Sequence, residues 1–414
     1  MNDLCKRRNT CRLCNQTNLK LAFSLEPTPP ANAFVDKQKT TINQDCYPLD
    51  IFFCEDCNHV QLLDVVDSSI LFEDYVYVSG TSPVFVKHFE EYANFLINNY
   101  LENKKSLVID IGSNDGTFLH FFKEKNNRIL GIDPAKEISS KANSNGIETL
   151  NSFFSFELSK SIRKKYGTAE IITANNVFAH VNDMKDLING IKNLLSPNGV
   201  FVFEVSYLVD VIQKNLFDTI YHEHISYHSV IPLIKFFNDN EMELIEVIRV
   251  DSHGGSLRGI AQMKDGLRKI GDSVKQCITL EKEIGIDQFE TYVKFFQNIN
   301  KEKNELQKLL QKLKNDKKSI VGFGAPAKAT TFLYHFAIKP EVIDYIIDDS
   351  PLKQGLFTPG MHIPVYSSEK LYEKNPDYVI ILAWNFAESI MKRHQKIKDM
   401  GGHFIIPLPQ LKVY

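Results

Sequence analysis

Short apolar runs recur through the middle of the chain, each closed by a glycine or polar cluster. Leu107–Asp110, Ile129–Asp133, Glu170–Ala174 and Val200–Val205 are nearly continuous in aliphatic residues, the pattern of strands covered on both faces in a parallel sheet. Between them, Phe85 to Tyr100 and Met184–Leu195 space their apolar residues at helical intervals, which predicts amphipathic helices. The turn signal Ser196-Pro197-Asn198-Gly199 is expected to end the second. Glu243–Val250 and Ser256–Met263 read as two strands joined by the tight loop Asp251-Ser-His-Gly-Gly255. Residues from about 75 to 262 are therefore expected to form one α/β unit that finishes in a hairpin. A polar helical pattern over about 273 to 317 reads as a bridge with exposed faces. Ser319–Gly324, Tyr345–Asp349 and Tyr378–Leu382 then start a second α/β unit within 263–414. Residues 1–74 carry short extended runs and four prolines, Pro27, Pro29, Pro30 and Pro48, too little to hold a core without a staple. A length of 414 residues agrees with three such units.

The first glycine turn carries the clearest chemistry. Asp110-Ile-Gly112-Ser-Asn114-Asp-Gly116 follows a strand directly, and Asp133 ends the next strand 23 residues after Asp110. Strand, glycine turn, helix, strand and terminal acid make one cofactor-binding unit, in which the acid can hold two ribose hydroxyls. The Asp-x-Gly-x-x-x-Gly spacing differs from the Gly-x-Gly-x-x-Gly that cradles a pyrophosphate. It leaves room for a bulky non-phosphate group, which favours S-adenosylmethionine (SAM) over a nicotinamide dinucleotide. Asn175, past the third of these strands, is expected to line the same pocket.

Cys11-Arg-Leu-Cys14 and Cys54-Glu-Asp-Cys57 are two Cys-x-x-Cys knuckles separated by 39 residues. Four thiolates at such spacing suit a closed, tetrahedral, structural zinc site. Of seven cysteines, six precede residue 58. The start of the chain has no apolar segment of signal-peptide type, so a metal site in a reducing cytoplasm is expected over a disulfide framework. No run reaches the roughly 18 apolar residues of a membrane span, and a net charge of -3 makes no electrostatic case for nucleic acid. No coiled-coil seam or interface patch is readable, which leaves a monomer as the expectation.

Tyr221-His222-Glu223-His224-Ile-Ser-Tyr227-His228 is the densest cluster of reactive side chains. On spacing alone it allows a metal pair (His222 and His224 with Glu223), a polar loop lining a cleft, or acid–base chemistry, since histidine titrates near neutrality. In the last unit, Gly322-Phe-Gly324-Ala-Pro-Ala327 with Asp348 24 residues after Gly324 fits a dinucleotide fingerprint. Lys328, at a helix N-terminus, equally suits the diphosphate of a sugar nucleotide.

These motifs occur in one order: the cysteine knuckles, the SAM turn, Tyr-His-Glu-His-x-x-Tyr, His253-Gly254-Gly255-Ser256-Leu-Arg258, and Gly-x-Gly-Ala-Pro-Ala-Lys328. The set resembles the nucleotide-sugar C-methyltransferases of branched deoxysugar biosynthesis, above all the sugar C-3'-methyltransferases, from Cys11 to about Pro407. The resemblance implies a zinc module (1–74), a class I SAM-dependent, Rossmann-like methyltransferase domain (75–262) and a second Rossmann-like domain (263–414) closing over the nucleotide. It implies a nucleotide-linked 4-keto-6-deoxyhexose as acceptor, methylated at C3 through an enolate. His224 would be the base and Glu223 would hold and polarise it. Tyr221 and Tyr75 would bond the C4 oxygen or the sugar, and His180 would sit near the reacting centre. Asp110, Gly112, Asn114, Gly116, Asp133 and Asn175 would bind SAM. Tyr227, Ser256, Arg258, Lys328 and Lys353 would contact the substrate, although Arg258 could instead pair with an acid. Methylation on oxygen or nitrogen, a nicotinamide-dependent sugar-nucleotide oxidoreductase and a zinc-ribbon scaffold are the competing readings.

Overall fold

The computed structural model describes residues 4–72, 80, 83–101, 105–252 and 254–414; Tyr75, Tyr77 and His253 lie outside these. Its centre is a seven-stranded sheet. The strands are β1 (Leu107–Ile111), β2 (Arg128–Asp133), β3 (Thr149–Asn151), β4 (Ala169–Asn175), β5 (Leu195–Ser206), β6 (Met242–Val250) and β7 (Ser256–Met263). Their spatial order is β6-β7-β5-β4-β1-β2-β3. Strand β7 runs antiparallel to both of its neighbours, while the other pairings are parallel. All five residues of β1 are buried, as its unbroken aliphatic run requires. The chain turns to one side of β1 for β2 and β3 and to the other for β4 and β5. That reversal opens a crevice beyond the carboxyl ends of β1 and β4, where ligands of such sheets bind.

The helix Met184–Leu194 passes straight into β5. Ser196-Pro197-Asn198-Gly199 is thus an irregularity inside the strand instead of the expected turn. Leu195 pairs with Ala169, and pairing resumes at Val200 opposite Ile171. Proline lacks the ladder N–H, and a Cβ on Gly199 would stand 2.8 Å from the Ala169 carbonyl oxygen, so these residues make a bulge.

The N-terminal strands Leu19–Thr28, Tyr47–Cys54 and Val60–Leu62 form an antiparallel sheet whose fourth strand, Ser226–Tyr227, comes from the middle of the chain. The polar stretch after β7 is two helices, Asp272–Ile284 and Phe289–Asn315. They break at Gly285, whose φ of +78° suits glycine. The second is less exposed than its composition suggests. Phe295 and Phe296 pack on Phe23 (ring centroids 5.8 and 5.3 Å apart), and Tyr292 lies 5.5 Å from Phe53, so one face covers the N-terminal sheet. The last sheet has six strands around Ile320–Phe323, all parallel except the final Lys412–Val413.

Candidate active site

One cleft of about 1940 Å³ takes its walls from the carboxyl ends of β1, β2 and β4, from the loops after Ile320–Phe323 and Ile346–Ile347 in the last unit, and from the N-terminal ribbon in which Cys5–Arg7 pairs with Asp64–Val66. The four knuckle cysteines lie outside its lining, and their ligand atoms fall within 4.8 Å of one another. Cys11 Sγ is 3.6 Å from Cys57 Sγ, and Cys14 Sγ is 3.5 Å from Cys54 Sγ. Tetrahedral zinc with bonds of about 2.3 Å sets its sulfurs about 3.8 Å apart, so the quartet fits. Hydrogen bonds from Cys54 and Cys57 hold the Cys11 thiol far below its usual range; the same contacts push Cys54 up to about 12 and Cys57 higher still. One negative sulfur wrapped by thiols is what a dication turns into four thiolates. Among the described residues this is the only convergent group of three or more metal-ligand side chains. The histidine segment supplies none there.

At the carboxyl end of β1, Gly112 takes φ +72° and its N–H bonds the Ile132 carbonyl at 2.7 Å. A Cβ there would stand 2.2 Å from Val177 Cγ2; only glycine keeps this wall flat. Asp133 accepts the Asn114 N–H on one oxygen and the Ala135 N–H on the other, both at 2.9 Å. It braces the turn and keeps further acceptor sites for a diol. Asp110 receives the Thr173 hydroxyl at 2.6 Å and the Asn175 amide at 3.5 Å. Burial pushes its carboxyl up to about 7, against the Thr173 bond and with added repulsion from Asp133. Asn175 Oδ1 is buried without a partner, an acceptor in the cleft wall awaiting a donor. Asp110, Gly112, Asn114, Asp133 and Asn175 all line the cleft. Gly116 does not: it precedes the helix Thr117–Glu124 at φ +79°, where a Cβ would meet Ile147 at 2.7 Å. It shapes the turn from behind, which corrects the expectation of cofactor contact.

The four histidines of interest separate by their partners. His222 Nε2 donates to the Tyr47 carbonyl at 3.1 Å, and His228 Nε2 to the Phe178 carbonyl at 3.3 Å. Burial lowers their pKa values to about 4 and about 3, so both are neutral structural groups. His224 faces the cleft. Its Nδ1 lies 2.8 Å from the Thr219 carbonyl and its Nε2 lies 3.0 Å from the Tyr221 hydroxyl. A carbonyl can only accept, so Nδ1 carries the proton. Nε2 then presents its lone pair to the Tyr221 O–H. His180 stacks on His224 with centroids 5.1 Å apart. Burial and the neighbouring His224 hold it well below its usual pKa, so it is neutral.

Glu223 departs from expectation. Its Oε1 accepts the Asn32 amide at 2.9 Å, and both ring nitrogens of His224 have other partners. The Thr219 carbonyl, not Glu223, fixes the His224 tautomer. Glu223 is buried and lines the cleft with Asn32 and Lys353.

Three expected substrate contacts fall outside the cleft lining. Arg258 points from β7 to Glu204, with nitrogens 2.8 and 3.1 Å from Oε2, and lies over the Tyr92 ring at 3.3 Å; it pairs with an acid. Ser256 is fully buried and donates to the Ser252 carbonyl at 3.1 Å. Tyr227 is held in the edge strand that pairs with Val60, beneath the histidines. The two lysines do line the cleft. Lys328 Nζ lies 3.7 Å from Asp218 and 3.7 Å from the Trp384 ring, and the Trp384 N–H reaches Asp218 at 2.6 Å. Lys353 donates to the Ala325 carbonyl at 2.7 Å. Asp348 accepts the Ala325 and Ser350 N–H groups at 2.6 and 2.8 Å; it braces its own glycine turn as Asp133 does in the first unit. Asn32, Asp218 and Thr219 carried no sequence signal, because their partners are remote or are main-chain atoms.

Residues 11–72 match a zinc binding domain family, 86–247 the family "Methyltransferase domain" and 251–409 the family "C-methyltransferase C-terminal domain". C-methyltransferase NovU of Streptomyces niveus is 30% identical over 413 residues, covering 100% of this chain and 98% of that protein. Solved structures similar over less than half of the chain include magnesium protoporphyrin IX methyltransferase of Synechocystis PCC 6803 with bound SAM (11% identity, 44% of this chain and 79% of that one, TM-score 0.33) and YcgJ of Bacillus subtilis (14%, 42% and 99%, TM-score 0.34). With a full-length relative, a fitting zinc quartet and a glycine turn shaped for the cofactor, the chain belongs to the C-methyltransferases, and it is a SAM-dependent enzyme with a structural zinc site.

Proposed function

We propose that the acceptor is a nucleotide-linked 4-keto-6-deoxysugar methylated at C3 through an enolate. The observation that carries this reading is the pairing of His224, with Nδ1–H on the Thr219 carbonyl at 2.8 Å and Nε2 3.0 Å from the Tyr221 hydroxyl, in the same cleft as the cofactor turn. The C4 ketone acidifies the C3–H bond. His224 Nε2 takes that proton, and its Nδ1–H stays on Thr219. The Tyr221 hydroxyl, released from Nε2, turns to the developing oxyanion and supplies a donor where charge appears. Neutral His180 adds no positive charge beside the base. SAM supplies the electrophilic methyl group. Asp133 would take its ribose hydroxyls, the orphan Asn175 oxygen would accept a donor, and the Asp110 carboxylate would face its cationic end. The C3–methyl bond forms as the sulfonium–methyl bond breaks, leaving S-adenosylhomocysteine.

Lys328 and Lys353 line the side of the cleft built by the last sheet, which supports the anionic nucleotide end lying there. The same reading divides the chain at about 74 and 262 and gives Tyr75 a bond to the sugar. The test is a mass-spectrometric assay with methyl-labelled SAM and dTDP-, GDP- and CDP-linked 4-keto-6-deoxysugars in deuterated water. Gain of one carbon-bound methyl with loss of the C3 hydrogen is expected, and deuterium at C3 in unmethylated acceptor recovered from the mixture. Methyl gain that leaves the C3 hydrogen in place would move the reaction to oxygen or nitrogen, and no transfer to any panel member would reject the acceptor class.

A further inference from the structure

His224 leans on a main-chain atom, and the last unit grips the chain on both sides of that atom. The short turn Phe217–Thr219 lies against the helix Ala327–His335, where the Phe217 ring stacks on Phe336 with centroids 4.9 Å apart. Within the turn, the Thr219 carbonyl accepts the His224 Nδ1–H at 2.8 Å. Just before it, Asp218 is fully buried and accepts the Trp384 indole N–H at 2.6 Å, with the Lys328 ammonium 3.7 Å from the same oxygen. Just after it, the Ile220 carbonyl accepts the Thr331 hydroxyl at 2.7 Å. The peptide between Thr219 and Ile220 is also held on its N–H side, by the Phe217 carbonyl at 3.0 Å. Thr331 and Trp384 are both buried and both lie outside the cleft lining.

We infer that Thr331 and Trp384 are positioning residues for His224: they fix the Thr219 carbonyl, and through it the angle of the imidazole and the proton on Nδ1. The inference rests on His224 being the base, as proposed above. A peptide is planar, so the direction of its carbonyl is set by the dihedrals on either side of it. Anchors on Asp218 and on Ile220 therefore fix where the Thr219 oxygen points. That oxygen can only accept, so it holds a proton on Nδ1 and the ring at one angle. The helix that carries Thr331 also brings Lys328 to the cleft wall. The last unit thus sets the base from the same element that borders the proposed nucleotide end.

The experiment uses the full-length zinc-loaded enzyme, the acceptor found in the panel, and the variants Thr331→Val, Thr331→Ser and Trp384→Phe. An interaction that counts only in the transition state lowers kcat and kcat/KM equally. Thr331→Val keeps the shape and drops the donor. It is expected to lower kcat by roughly ten- to a hundredfold, as a displaced catalytic group does. KM for the acceptor, SAM affinity by calorimetry and zinc content should change little. Deuteration at C3 of unmethylated acceptor, which reads proton abstraction itself, should slow by the same factor. The acid limb of the kcat–pH profile should move to lower pH, because a carbonyl on Nδ1–H favours the imidazolium. Thr331→Ser keeps the donor and should recover most of the loss, while Trp384→Phe should change both readings in the direction of Thr331→Val. Unchanged kcat in Thr331→Val overturns the inference. So does a lowered kcat with an unmoved pH profile, the mark of fewer correctly folded molecules, and so does a loss that serine fails to recover. If Thr331→Val does not fold, Trp384→Phe decides by the same readings; if neither folds, the contacts serve the fold alone and the inference falls. A wild-type enzyme inactive on the whole panel, or His224→Ala at full turnover, rejects the reading proposed above and the inference with it. A wild-type enzyme that depends on His224 but is indifferent to Thr331→Val rejects the inference alone.

Discussion

His222 and His224 differ by two positions in sequence and by everything in circumstance. One spends its Nε2 on the Tyr47 carbonyl, and the other presents Nε2 in the cleft. His224→Ala is therefore expected to lower turnover by roughly 10²- to 10⁴-fold, the usual worth of a general base. SAM affinity by calorimetry should be nearly unchanged, and full activity would remove His224 as the base. A second residue-scale prediction concerns Glu204. Burial alone would raise its carboxyl, but the hydrogen bond from His88 and the Arg258 charge hold it at about 2. That is below the ordinary glutamate value of about 4.3, so its stabilisation is complete above that value and is lost as pH falls through about 2. Arg258→Met leaves the carboxylate buried with its permanent cation gone, which should cost roughly 3–5 kcal/mol at pH 7. It should also move the acid limb of the melting-temperature profile to higher pH. Urea denaturation at pH 7 and a thermal series down to pH 2 check both. Asp110 acts in the opposite sense: raised to about 7, it holds its proton better in the folded state and weakens the fold as pH climbs from about 4 to 7.

At the scale of elements, the glycine turn makes the firmest demand. Gly112→Ala adds a methyl at φ +72° against Val177. SAM affinity should fall by about tenfold or more, equivalent to at least about 1.4 kcal/mol. Val177→Ala in the same chain should recover part of the loss in the same titration. Regular periodicity made most elements readable: β1, β2, β4, β6 and β7 lie where their apolar runs put them. Legibility failed where two signals competed. Ser196-Pro197-Asn198-Gly199 has turn chemistry, yet Leu195 and Val200 both pair with β4 and keep it in a strand. The polar stretch after β7 has enough charge to suggest exposure, yet its aromatic residues find Phe23 and Phe53 across the fold. Long-range partners decide such cases, and a local pattern does not contain them. The same holds in the site. The cofactor turn is a contiguous motif and shows in the sequence, whereas Asn32 on Glu223 and Asp218 on Lys328 join residues far apart in the chain.

At the scale of the molecule, three parts of the chain border one cleft, and the N-terminal one carries the cysteine quartet. Cys54→Ser removes one of four converging sulfurs. The variant is expected to lose zinc by elemental analysis and to melt roughly 10 °C lower, as a loss of about 3–5 kcal/mol implies for a unit of this size. Cys46→Ser, at an exposed position outside the quartet, should do neither, and a zinc-free Cys54→Ser protein with unchanged melting would refute the structural role. The strand Ser226–Tyr227 completes the N-terminal sheet by pairing with Val60–Leu62, and this fixes an order of events during synthesis. The zinc module leaves the ribosome first but cannot close its own sheet. Its free edge waits, open to mispairing, until the segment carrying His224 and Ser226–Tyr227 has emerged. Closing that sheet is thus also the step that brings His224 to the cleft, so a chain arrested before residue 224 has neither a finished module nor this histidine.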